Sequence, residues 1–256
     1  SIHPKFKQVC EYIAQRVQEN PEIEMSISSL RVDAVDDSII KTLVSAHQKH
    51  ITIAIEAGSE RLRKVINKNI TEEQIKHTVE TARNNGLKGG KVYAMIGIPT
   101  ETQEDLNEMV RLAKELKQAN KGFDISFAFS SFIPKPHTPL QWCGRFSTKE
   151  LEKRQNFLQK EFHKIGVKTS FSSIKWDYWQ TVLSRGDEKM SDFIIDVYKE
   201  GSKLGAFKKA AKDKFNPDDY VLRNYDTTEN LPWDIIEMSP KKEVLVARHK
   251  KLLNLP

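Results

Sequence analysis

Apolar positions along the chain come in short alternating runs separated by longer stretches of helical spacing, a rhythm that predicts strands alternating with helices. Phe6, Val9, Cys10, Ile13, Ala14 and Val17 recur at helical intervals, and Asn20-Pro21 stops that helix. Met25 and Ile27 alternate with Glu24 and Ser26, so Ile23 to Leu30 reads as a strand delivering Ser28, Ser29, Arg31 and Asp33 to its carboxyl end. Asp36 and Asp37 open a helix whose apolar face is Ile39, Ile40, Leu43, Val44 and Ala46. Ile51, Ile53 and Ile55, interleaved with Thr52 and Ala54, form a β-branched strand that ends at Glu56. Ala57, Gly58 and Ser59 make the turn that follows, with Ser59 placed to cap the next helix and Glu60 in its first turn.

The same alternation continues downstream. Thr71 to Gln74 is a capping-box pattern that starts a helix ending at Asn84-Asn85-Gly86. Lys91 to Ile98 reads as a strand broken by Pro99, and Leu106, Met109, Val110, Leu112, Ala113 and Leu116 mark a helix beginning near Thr102. Asp124 to Phe129 is a further strand. Pro134, Pro136 and Pro139 keep Ser130 to Trp142 from forming a regular element. A helix over Thr148 to Ile165 and a short strand over Val167 to Phe171 complete the pattern, and from Ile174 onward it changes to charged helices and loops. Strands spaced by helices of this length predict βαβ units and a parallel sheet.

Composition narrows the picture modestly. The 256 residues suffice for one large domain or a domain with an appendage. No apolar run nears the roughly 20 residues that cross a membrane, and SIHPKFKQ has neither an initiator Met nor a signal-peptide core, so the chain reads as cytoplasmic and as a fragment. The net charge of +6 admits an acidic or nucleic-acid partner, although 41 Lys and Arg are dispersed among 35 Asp and Glu. Cys10 and Cys143, the only cysteines, stand in unrelated contexts and build neither a disulfide framework nor a CxxC metal site. The histidines show no metal-ligand spacing, and GxxxxGK[ST], GxGxxG and GxSxG are all absent.

Chemistry concentrates at three strand ends: Ser29, Arg31 and Asp33; Glu56 and Ser59; Gly97, Thr100 and Glu101. An Arg suits a carboxylate, Glu and Ser suit ribose or an amine, and Gly97 lets a flat ligand approach the backbone beside Met95 and Ile96. Two plainer readings stand beside these. Glu56 also reads as a strand-terminal acid meeting a surface Arg, and Gly97-Ile98-Pro99 as a tight strand exit with no ligand.

The stretch ITIAIEAGSERLRKVINKNIT, followed by MIGIPTETQEDL and FIPKPHTPLQW, resembles the radical S-adenosylmethionine (radical SAM) superfamily. Together with SLRVD, LSRGD and LPWD it most resembles uncharacterised members with an amino-terminal cobalamin-binding-like domain, over about Glu24 to Glu237. The resemblance implies an α/β fold: a partial (β/α) barrel with its first two strands absent and an appended, mainly helical carboxyl-terminal region, divided as residues 1–172 and 173–256. It implies that Arg31 holds the carboxylate or a nearby polar part of S-adenosylmethionine, that Glu56 and Ser59 face its ribose or amino group, that Met95, Ile96 and Gly97 pack near adenine, and that Phe132 lies on the loop at the barrel mouth. It implies S-adenosylmethionine and a 4Fe-4S cluster as cofactors of the full-length enzyme, with an electron donor and an unknown substrate, and it leaves cobalamin open.

The chain departs from the superfamily in one respect. The cluster is held by a CxxxCxxC loop, which neither cysteine here matches. The expectation is that this loop lies about 80 to 100 residues before Glu56, from missing βα units of about 30 residues each, and that the chain alone is inactive. The alternative is a non-catalytic binding module whose basic surface contacts RNA or a protein partner.

Overall fold

The structure is a computed structural model that describes residues 3–22 and 24–254. Four strands, β1 (His50–Glu56), β2 (Gly89–Ile96), β3 (Asp124–Ser131) and β4 (Lys168–Phe171), form one sheet in sequence order. β1 and β2 pair in parallel, as do β3 and β4. The Asp124 N–H bonds the Lys88 carbonyl and the Phe132 N–H bonds the Ile96 carbonyl, a constant offset of 36 residues that makes β2 and β3 parallel too. Sequential parallel order is the arrangement of a (β/α) barrel wall rather than of a doubly wound sheet, whose strand order reverses.

The helices are α1 (Phe6–Glu19), α2 (Asp37–Ser45), α3 (Glu60–Val65), α4 (Glu72–Asn84), α5 (Gln103–Ala119) and α6 (Thr148–Lys164). After β4 come α7 (Ile174–Arg185), α8 (Met190–Lys199), α9 (Leu204–Ala211), α10 (Asp218–Val221) and α11 (Lys242–Leu253). The expected caps form: Asp36 accepts from the Ile39 N–H, Ser59 from Leu62, and Thr71 and Thr102 each complete a capping box, with Gln74 and Asp105 respectively. The parallel α/β sheet and the helical carboxyl-terminal region are as the sequence predicts.

One strand is absent. Between Glu24 and Leu30 the chain is extended without a ladder, and only Leu30 bridges to Ile53 of β1; Ile23 lies outside the described residues. Here the backbone bonds sporadically. Met25 donates to the Ala46 carbonyl and Ile27 to the side-chain oxygen of Gln48, so the regular alternation of ladder bonds never starts.

The described residues form two compact units: residues 1–95, 102–129 and 156–171 in the first, and 96–101, 130–155 and 172–256 in the second. In the first, Ile51, Ile53, Ile55, Val92, Ala94 and Phe127 point to the covered face of the sheet and are buried. Phe162 of α6 meets Phe127 edge-on, with centroids 5.0 Å apart. The opposite face is different. Thr52, Ala54, Lys91, Met95 and Ser126 are partly accessible and Tyr93 is 41% exposed, with the Lys91 ammonium 5.2 Å from its ring centre. One face of the sheet is thus apolar and covered, the other mixed in polarity and partly accessible.

In the second unit, Trp179, Val182, Phe193 and Val197 centre one apolar cluster, and Trp142, Leu231, Trp233 and Leu245 another. Buried arginines tie loops to these helices. Arg145 donates to the Ile174 carbonyl, and Arg185 donates to the Tyr220 and Arg223 carbonyls while lying 4.1 Å from the Tyr225 ring centre. The LSRGD and LPWD motifs are structural here: Asp187 accepts from the Tyr220 hydroxyl, and Asp234 from the Leu231 N–H and Lys242.

Candidate functional site

The β1–α3 turn organises the first unit's strand ends. β1 breaks register between Ala54 and Glu56, and Glu56 takes a left-handed backbone with φ of 66°. A non-glycine residue there costs about 1–3 kcal/mol and persists only where its surroundings fix it. The fixing groups are evident. The Ala57 N–H bonds the Ile55 carbonyl, and the Glu56 carboxylate pairs with Lys68 at 3.1 Å. The plain sequence reading gave Glu56 an arginine partner; its cation is instead this lysine, from the NKNIT segment.

Arg31 and Asp33 form a two-pronged pair with Nε–Oδ1 at 2.9 Å and Nη2–Oδ2 at 2.6 Å. Arg31 holds the Asp33 carboxyl below the usual range, chiefly by this hydrogen bond, and the Lys68 charge contributes in the same direction. Lys68 therefore links the two pairs electrostatically, and Arg31, Asp33, Lys68 and Glu56 form one accessible cluster of alternating sign.

Ser59 faces elsewhere. Its hydroxyl caps α3 and donates to Asp105 Oδ1 at 2.5 Å. Asp105 is 5% exposed and also accepts from Arg61 at 2.5 Å and from the Thr102 backbone and hydroxyl, both at 2.8 Å. Burial pushes its carboxyl up, but the bonds from Arg61, Ser59 and Thr102 outweigh burial and hold it below its ordinary value. Ser59 and Asp105 thus lock α3 to α5.

Asp105→Asn is expected to destabilise the chain by about 3 kcal/mol, in the range for breaking one partner of a buried pair. Because the folded value lies below the unfolded one of about 3.9, the contribution is present above that pH and lost as pH falls through the folded value. Glu72 adds to the same acid limb: Arg111, and then Lys76, hold it at about 2 against the opposing effect of burial. Urea melts between neutral pH and pH ~3 should show wild-type stability falling steeply; an equally steep fall in Asp105→Asn would remove Asp105 from that account.

Two residues shape this turn: Gly58, which the sequence places in it, and Arg63, which sequence reasoning passed over. Gly58 lies against α5 so closely that a Cβ would come within 2.3 Å of Met109 Cα and 2.4 Å of its N. Arg63 is fully buried and donates to the carbonyls of Ala57, Gly58 and Ile70 at 2.8–2.9 Å, while its nearest paired carboxylate, Glu60, lies 3.7 Å away. The GSE turn signal located Gly58, but an arginine in a six-residue helix carries no periodicity that announces burial.

Of the remaining expected site residues, Met95 belongs to the first unit, on the sheet's open face. Ile96, Gly97 and Phe132 belong to the second. Ile96 and Phe132 are buried and joined by the 2.8 Å bond between the Phe132 N–H and the Ile96 carbonyl. Gly97 has φ of 76° and donates its N–H to Glu101, which Arg154 holds at 2.8 Å. A Cβ on Gly97 would meet Leu151 Cδ2 at 2.5 Å, so that side of the glycine is filled by protein.

The residues present do not fit an iron–sulfur cluster. Cys10 and Cys143 are both buried, burial pushes both thiols up, Cys143 to about 11, and such a cluster needs several thiolates together. Among the described residues no group of three or more His, Cys, Asp or Glu is placed to hold a metal. Nor, among them, is any helix long and apolar enough to cross a membrane.

Comparison with known proteins is consistent with this frame. An uncharacterized protein of Methanocaldococcus jannaschii is 35% identical over 73% of this chain and 40% of its own length. A tRNA-2-methylthio-N(6)-dimethylallyladenosine synthase of Oceanobacillus iheyensis is 26% identical over 68% of the chain and 33% of its own length. The chain thus spans about two fifths or less of these curated relatives. The coproporphyrinogen III oxidase structure from Escherichia coli aligns with 17% identity over 60% of this chain and 37% of that one, at a TM-score of 0.45, too low to carry an argument. The Radical SAM superfamily model matches residues 1–113, the stretch that holds β1, β2 and the charge cluster, and over that stretch the chain is similar to the radical SAM superfamily.

Proposed function

We propose that this chain contributes part of the S-adenosylmethionine pocket of a radical SAM enzyme. The observation that supports this reading is the cluster of Arg31, Asp33, Lys68 and Glu56, whose alternating charge complements a zwitterionic amino-acid end. When bound in an enzyme of this superfamily, S-adenosylmethionine supplies a 5'-deoxyadenosyl radical by reductive cleavage at a 4Fe-4S cluster. In this chain Arg31 orients the carboxylate, with Asp33 presetting the guanidinium plane. Glu56, poised by Lys68 and its left-handed backbone, accepts from the amino group or a ribose hydroxyl. Met95, on the open face of the same unit, is assigned to the adenine side. Ser59 serves the pocket by fixing the turn, since its hydroxyl already both donates and accepts within the protein.

The cluster must be held by residues outside this set, and the chain alone forms no radical. An electron donor and the substrate belong to the whole enzyme. RNA enters as a candidate substrate because some relatives bear the names of tRNA-modifying enzymes.

Calorimetric titration of the chain with S-adenosylmethionine should show saturable binding, weakened about tenfold or more by Glu56→Gln and by Arg31→Met, the range for losing a charged hydrogen bond. Binding that neither substitution changes would refute the assignment. Anaerobic iron and sulfide reconstitution followed by dithionite should yield no 5'-deoxyadenosine from this chain; its appearance would overturn the claim of inactivity.

A further inference from the structure

A cavity of about 520 Å³ opens in the second unit between α7, α9 and the segment after α9, well away in sequence from every residue assigned above. That volume is in the range of small-molecule sites. Its wall is aromatic. Trp179 is buried beneath it, stacked on Phe193, while Tyr178 and Phe215 are half-buried and held on their inner sides: Phe215 packs edge-on against Phe193 and Tyr220, and the Tyr178 hydroxyl donates to Asp218 at 2.7 Å. Rings fixed in this way present π-faces with little ordering still to be lost.

The rim is cationic. Lys175, Lys208 and Lys212 line the cavity, and among the described residues none of the three has an ion-pair or hydrogen-bond partner for its ammonium group. Their neighbours behave differently: Lys209 pairs with Glu200 at 2.6 Å and Lys214 with Asp196. Lys209 and Lys214, outside the lining, are neutralised, and the three lysines in it are not. Asp213 is the one carboxylate in the lining against these three lysines, with Asp218 just outside it engaged by the Tyr178 hydroxyl; the Asn216 amide donates to Asp219 and accepts from the Asp218 N–H, leaving one donor and one acceptor position on it for a ligand.

From this juxtaposition we infer that the cavity binds a nucleoside phosphate, with the base against Tyr178 and Phe215 and the phosphate among Lys175, Lys208 and Lys212. Aromatic faces suit any base, ammonium groups act as point charges on phosphate, and Asp213 and Asn216 are fitted to ribose hydroxyls or exocyclic amines. The ligand is either a free nucleotide or one residue of a single-stranded RNA. The site is independent of the S-adenosylmethionine reading: Glu56→Gln leaves it intact, and its variants leave S-adenosylmethionine binding unchanged.

The test titrates the 256-residue chain, at constant ionic strength, with AMP, fluorescein-labelled octauridylate and inorganic phosphate. Lys208→Glu/Lys212→Glu is compared with Lys121→Glu/Lys160→Glu, which makes the same change in net charge in the first unit. Binding of AMP, or of octauridylate alone, lost about tenfold or more in the first variant and changed less than about threefold in the second, supports the inference and identifies the source as free nucleotide or nucleic acid. When the octauridylate titration is repeated over a series of salt concentrations, the salt slope should fall by about 1.4 when two lysine contacts are removed, at about 0.7 per contact on a single strand. Both rim lysines are exposed, so an unchanged thermal midpoint checks the fold. No binding of either probe, equal loss in the two variants, or inorganic phosphate competing as well as AMP would each overturn it.

Discussion

Replacing Gly58 with Ala is expected to cost about 3 kcal/mol or more, the upper end of the range for overpacking a core. The reason is what the new methyl would meet. Its nearest neighbours are Met109 Cα and N, backbone atoms inside a 17-residue helix, and a helix backbone has no alternative rotamer by which to retreat. Either α5 shifts bodily or the β1–α3 turn opens, and both displace Glu56. Urea denaturation of wild type and Gly58→Ala should give a midpoint far lower in the variant with little change in slope. By contrast, a methyl on Gly205 would meet nothing within 4 Å, so Gly205→Ala, inside α9, should be neutral or slightly stabilising. Gly58→Ala within about 0.5 kcal/mol of wild type would show that the turn is not packed as described.

Arg63→Met is expected to cost about 3–5 kcal/mol, because it removes the donor fork while leaving three carbonyls, those of Ala57, Gly58 and Ile70, buried without partners. Arg63→Lys should recover little. An ammonium is a single point, and the three acceptors come from two separate segments that only a planar fork spans together. If Lys restored most of the stability, the side chain would be acting as a charge and not as a scaffold. S-adenosylmethionine titration of the same variants is a second readout, since a loosened turn would weaken binding although Arg63 is assigned no contact with the ligand.

Much of the frame was legible because it is written in local chemistry. Thr71 with Gln74 and Thr102 with Asp105 announce helix starts three residues at a time, and Ile51, Ile53 and Ile55 announce a strand by period alone. What escaped was set by partners distant in sequence. Ser59 was readable as a cap, but its second bond, to Asp105, lies 46 residues away. Glu24 to Leu30 has strand-like alternation, yet whether a ladder forms depends on what lies beside it, and there the Gln48 side chain takes the Ile27 amide. Buried arginines were the largest omission. Arg63, Arg145 and Arg185 look like surface charge in any composition, and only the carbonyls they reach, in turns and at helix ends, make burial tolerable.

The open face of the sheet bears on how the chain can be handled in the laboratory. Thr52, Lys91, Tyr93 and Ser126 line a surface where an ordinary two-layer protein would place a second apolar layer. Hydroxyls, an ammonium and a tyrosine, with only Ala54 and Met95 as accessible apolar side chains among them, keep favourable hydration there, so exposure brings little drive toward self-association. Solvent-facing labels, such as a cysteine-reactive fluorophore at Thr52→Cys or Ser126→Cys, can therefore be introduced on that side without opening the core, with Cys10 and Cys143 too buried to compete for the reagent. The wet side of the sheet is the natural place to attach a reporter.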